Sequence, residues 1–198
     1  MKKKQSIFLL IIFFMCAINT QAQKVSADFV NVPGPLFFDN KSFSLSWSSH
    51  PANNFYKQEY LVKGDIPDQF KMMLLTDVVT GGSAIKEVVN AKLAELKKMK
   101  EANPIVNYEV ISNAKTGEYL IDFLLAANDA NGNTNIVERN VYRYKSFTDK
   151  SGKGGVQLFG VSERSYGSDI NKFLVALKTN RKELVNKVAL FKMPEVKI

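Results

Sequence analysis

His50 is the one side chain of this chain expected to titrate near neutrality without a large perturbation. Ser46, Ser48 and Ser49 lie beside it, and Asp65 or Asp68 offers a carboxylate to orient its ring. These are the parts of a hydrolase triad, but no G-x-S-x-G elbow surrounds any serine. His50 also precedes Pro51, where a strand is expected to break, so a solvated loop histidine is the simpler reading. Gly81-Gly82-Ser83 ahead of a helix could cradle an anion on free backbone N–H groups. It matches neither G-x-x-x-x-G-K-[ST] nor G-x-G-x-x-G, and a strand-to-helix turn suffices. Lys153, between Gly152 and Gly154, is read in the same way as a loop tip.

Asp122 and Glu138 are expected on adjacent strands but on opposite faces, whereas a glycosidase pair must face one cleft. Asp129, Asn131 and Asn133 alternate like the first half of a calcium loop. The sixth position is Thr134 and the twelfth Asn140, where such a loop needs Gly and a bidentate Glu, so a polar hairpin turn is expected. The densest basic and aromatic group is Arg139, Tyr142, Arg143, Arg164 and Tyr166, residue types favoured at binding surfaces. Its competing reading is a set of cross-strand ion pairs on a solvated sheet face. One Cys and one His cannot supply a Cys/His zinc site, an iron–sulfur cluster or a disulfide scaffold. The expectation is therefore no catalytic constellation, no metal and no cofactor.

The elements that must position these residues follow from periodicity and turn chemistry. Strands are expected at 42–48, 55–62, 70–79, 105–112, 118–127, 135–144 and 155–163. Helices are expected at 83–101, with Ser83 as N-cap and Ile85, Val89, Leu93, Leu96 and Met99 at helical spacing, and from about Ser168 to about Phe191. The fold class is α+β: an antiparallel sheet of N-terminal hairpin strands plus a four-strand meander, packed as a sandwich with two main helices.

One register is predicted in detail. A four-residue Asp129–Gly132 loop pairs residues whose numbers sum to 261. Glu118 then faces Arg143, Asp122 faces Arg139, Leu120 faces Val141, and Tyr119 meets Tyr142 on the other face. The competing two-residue Asn131-Gly132 turn gives a sum of 263 and opposes Asp122 to Val141.

Residues 1–22 read as a secretory signal peptide: Lys2, Lys3 and Lys4, an apolar run from Ile7 to Ile18, and Thr20-Gln21-Ala22 before the cut. Phe13-Phe14-Met15 before Cys16 is too bulky for a lipobox, so Cys16 is a small hydrophobe of that run. A single cysteine-free domain, 23–198, remains. The whole chain has 27 basic and 19 acidic residues; losing three Lys leaves 24 against 19, a net +5. That is solubility charge rather than a nucleic-acid footprint, and no later window is long and apolar enough to span a membrane.

The order of elements, with Tyr56-Lys57-Gln58-Glu59-Tyr60-Leu61 and Arg164-Ser165-Tyr166-Gly167, resembles small exported bacterial proteins of unknown function. Over residues 36–191 the layout is also similar to the PsbP-type α+β sandwich, whose members serve photosynthetic systems as non-catalytic accessory subunits. The resemblance implies an exported binding or accessory protein of the bacterial envelope, periplasmic or extracellular, that contacts an envelope protein or ligand. The alternative is a secreted hydrolase whose site converges from distant positions.

Overall fold

Runs rich in β-branched, aromatic and other apolar residues fold into strands because the pleat sends successive side chains to opposite faces, and Asn, Asp and Gly between the runs reverse the chain. A computed structural model describes residues 26–198, so the expected signal segment and Cys16 lie outside the described residues. The strands are β1 (Leu36–Phe38), β2 (Lys41–Ala52), β3 (Phe55–Val62), β4 (Met72–Val79), β5 (Asn107–Asn113), β6 (Glu118–Asn128), β7 (Thr134–Thr148) and β8 (Gly154–Tyr166). Helix α1 (Ile85–Ala102) connects β4 to β5, and α2 (Asp169–Leu190) follows β8. All strand pairs are antiparallel, in the order β1-β2-β3-β4-β8-β7-β6-β5. Two four-strand meanders are thus fused into one sheet where β4 pairs β8.

This corrects the expected sandwich with two main helices. The sheet dominates, at 46% strand against 23% helix, and its eight strands curl into a half-barrel. The reason lies in strand length: β7 and β8 run 15 and 13 residues, and strands that long carry enough right-handed twist to coil the sheet on itself. Each helix buries only two residues fully, Val89 and Leu96 in α1 and Leu184 and Val188 in α2. The core divides between the sheet's two faces, as alternation along β4 shows. Leu74 joins the cluster under α2, with Phe43, Tyr60, Val141 and Phe159, while Met73 and Leu75 join the one under α1, with Phe123, Tyr144 and Leu158.

Three local expectations change. β1 was not anticipated, and β2 continues through His50 and Pro51 to Ala52 instead of breaking there. The N-cap of α1 is Ala84 rather than Ser83; Glu87, one turn in, accepts the Ala84 N–H at 3.1 Å. The β6–β7 register is the third correction. Tyr119 pairs with Tyr144, Leu120 with Arg143 and Asp122 with Val141, the sum of 263. Turn chemistry explains why. Gly132, at φ 83°, lets a tight turn close with its N–H on the Asp129 carbonyl and the Asp129 N–H on that of Asn133, while Asp129 Oδ1 accepts the Asn131 and Asn133 N–H groups. A bulge before Asn128 then moves the ladder by one more residue. Because this register and the expected one differ by two residues, every side chain keeps its face. The predicted ion pairs therefore form along diagonals, with Arg139 Nε 3.1 Å from Asp122 and Arg143 Nε 2.9 Å from Glu118.

Candidate functional site

One rung of the sheet collects a polar group that linear spacing does not show. Lys57 of β3 stands opposite Asp77 of β4, Asp77 opposite Leu158 of β8, and Leu158 opposite Tyr144 of β7. Tyr142, two residues before Tyr144, faces the same way and lies over Gly160. A Cβ at Gly160 would sit 2.9 Å from the Tyr142 ring, so glycine is what makes room for it. Above the rung passes α1, presenting Val88, Ala91, Lys92 and Glu95, whose spacing puts them on one helix face. Between helix and sheet lies a cavity of about 400 Å³, in the size range of small-molecule sites. Its remaining walls are apolar: Phe55, Val79, Val156 and Leu158.

The cavity contains a buried acceptor without a partner. Asp77 Oδ1 is out of reach of solvent and has no hydrogen bond, and Lys57 Nζ approaches the other oxygen only to 4.0 Å. Burial pushes the Asp77 carboxyl up to about 7; Lys57 opposes the shift and Glu59 adds to it. Burial likewise raises the phenols of Tyr142 and Tyr144, with the charge of Asp77 acting on both in the same direction, so they stay neutral donors at neutral pH. Lys92 bridges to Glu95 at 3.0 Å and lies 5.1 Å from the Phe123 ring centroid. No Ser, Cys or His is among the lining residues.

The five binding residues expected from sequence do not form one surface. Tyr142, Arg164 and Tyr166 face the α1 side, and Arg139 and Arg143 face the α2 side. Arg139 is 2% exposed; besides Asp122 it donates to the Arg181 carbonyl at 2.5 Å. Arg143 donates to the Val188 and Phe191 carbonyls, where a cation complements the end of α2. Arg164 pairs with Glu138 at 2.8 Å and covers the Phe70 ring at 4.0 Å. The Tyr166 hydroxyl donates to the Phe70 carbonyl and accepts the Phe70 N–H, pinning the approach to β4. Only Tyr142 belongs to the cavity.

The other candidates resolve into structural contacts. The His50 ring stacks on Tyr56 with centroids 4.1 Å apart and tilts against Phe29 at 5.9 Å. The Gly82 N–H is taken by the Gly154 carbonyl at 2.8 Å. Lys153 closes a turn on Asp149 built like the one on Asp129. Asp122 and Glu138 do face opposite sides of the sheet, Asp122 toward Arg139 and Arg181 and Glu138 toward Arg164. Lys57, Asp77, Lys92 and Tyr144 were missed. One signal was available: Asp77 is the only charged residue in the otherwise unbroken strand sequence MMLLTDVV, where a carboxylate must be buried or functional.

A protein-family model matches residues 30–193, and the chain belongs to that family, which is uncharacterised. No curated protein and no solved structure gives a significant match. No helix among the described residues is long and apolar enough to cross a membrane.

Proposed function

We propose that this is an exported, non-catalytic binding protein of the bacterial envelope, with the cavity under α1 as its ligand site. The observation that carries the reading is Asp77, which lines a mostly apolar cavity of ligand size and holds one carboxylate oxygen buried without a partner. A fold that only needed stability would gain by replacing that carboxylate, because a buried polar atom without a partner costs about 1–3 kcal/mol. A few polar groups converging in an apolar cleft, one with a perturbed pKa, is the usual form of a small-molecule site. No Ser, Cys or His is among its lining residues, so the cavity has no Ser–His or Cys–His pair, and we read it as a site of capture rather than turnover.

The test is occupancy. Ala91 is exposed and lines the cavity, so Ala91→Trp plugs the mouth without entering the core. Purified mature protein should bind the uncharged fluorophore Nile red saturably, and Ala91→Trp should abolish that signal while leaving circular dichroism and melting temperature unchanged. Equal binding by the plugged variant would remove the cavity from consideration. Fractionation of the source cells tests the envelope assignment separately.

A further inference from the structure

The geometry points to an amphipathic carboxylate as the ligand of this cavity, its head group among Lys57, Lys92 and the two tyrosines and its tail against Phe55, Val88 and Val156. The inference rests on the ligand-site reading above and adds the chemical class.

The donor and acceptor inventory selects the head group. Lys57 and Lys92 each carry an ammonium, and Tyr142 and Tyr144 each carry a phenol. The acceptors are Asp77 and Glu95, and Glu95 is already bound to Lys92 and 56% exposed. With Asp77 protonated, two ammonium groups and two phenols face one ionised carboxylate, Glu95, which is already bound to Lys92. An incoming carboxylate meets the Lys57 ammonium, the phenols and the protonated Asp77, and charge-assisted hydrogen bonds to lysine are about twice as strong as neutral ones. An ammonium ligand would meet Asp77 and Glu95 but also two lysines of its own sign. The apolar walls fit a single hydrocarbon tail, and no arginine lines the cavity to fork around a larger polyanion.

Asp77 then makes capture dependent on pH. The charged or titratable groups facing it are Lys57 and Glu59 from β3, Lys92 and Glu95 from α1, and Tyr142 and Tyr144 from β7. β8 contributes the apolar Val156 and Leu158. An ionised Asp77 repels the ligand carboxylate, whereas a protonated one donates to it. With its carboxyl held at about 7, the competent fraction falls about tenfold between about pH 6 and pH 8. Loading is favoured on the acidic side and release on the alkaline side.

Calorimetric titration of the mature protein with decanoate, decanol and decylamine at the two pH values separates head group from tail. Decanoate should bind tightest, about tenfold more tightly at the lower pH, since its own carboxyl stays ionised across the range. Asp77→Asn should hold decanoate at the low-pH affinity throughout. Lys92→Met should weaken decanoate about tenfold and leave decanol unchanged, a split that general unfolding would not produce. Tighter binding of decylamine than of decanoate, or decanoate affinity that falls with acid, overturns the inference. If decanol and decylamine bind in an Ala91→Trp-sensitive way and decanoate does not, the ligand site stands and the carboxylate assignment fails. If none of the three binds, both fail.

Discussion

Replacing Asp77 by Asn isolates the cost of ionising a carboxylate in the cavity under α1. The native carboxyl titrates at about 7 against 3.8 for the free group, with burial the main cause, so folding disfavours the charged form. Below 3.8 both the folded and unfolded chains are protonated and the cost vanishes. Between 3.8 and 7 the folded chain holds the extra proton, and stability falls as pH rises; above 7 the full cost is present. Across that interval it amounts to about 4 kcal/mol at most, little reduced by screening because solvent reaches only 13% of the side chain. Asparagine keeps the shape and carries no charge at any pH. Urea denaturation should therefore show Asp77→Asn more stable than wild type by up to about 4 kcal/mol at about pH 8, narrowing to about 2 kcal/mol at about pH 5. Burial also raises Glu59 and Glu163, so the wild-type profile alone mixes several groups, and the difference between the two proteins is the informative quantity. A gap that does not change with pH, or a variant less stable than wild type at pH 8, would refute the account of Asp77.

Three further outcomes test the frame that holds the site. Asp122→Ala leaves the buried Arg139 guanidinium with only Glu163 at 3.8 Å as a charged partner and removes one of the two carboxylates that hold Arg181, the other being Glu109; it should cost about 3–5 kcal/mol in urea unfolding. Gly155→Ala would place a Cβ 2.5 Å from Phe147 Cε1 and 2.6 Å from the Val79 carbonyl oxygen; the melting temperature should drop in line with an overpacking cost of about 1–3 kcal/mol. Gln58 accepts the Phe29 and Val30 N–H groups and donates to the Val32 carbonyl and the Tyr60 hydroxyl. Gln58→Leu should release that segment, seen as faster hydrogen exchange at Phe29 and Val30 with β4 still protected.

Most strands and both helices were legible because their signals are local. The sequence of β2 alternates Phe43, Leu45 and Trp47 with serines, the final helix repeats Ile170, Phe173, Leu174, Leu177 and Leu184 on one side, and Asn103-Pro104 stops the first. Even the ion pairs Asp122–Arg139 and Glu118–Arg143 were found through a register two residues out, because such a slip preserves the face and long arginine side chains span the diagonal. The slip itself arose from Asp129 and Gly132: the side-chain oxygen of one and the positive φ of the other select a turn that pair chemistry alone does not reveal.

What the amino-acid order determined by itself, then, is every element but β1, their boundaries to within a few residues, and the alternation that gives each strand two faces. Tertiary structure alone decided that β4 joins β8, that the sheet curls, and that the candidate site lies where it does. Lys57, Asp77, Lys92 and Tyr144 come from four elements and meet only because that junction closes one rung across the sheet and α1 crosses above it. Periodicity records which face a residue takes, whereas the identity of its neighbour on that face depends on long-range pairing, which leaves no mark within a short stretch of chain.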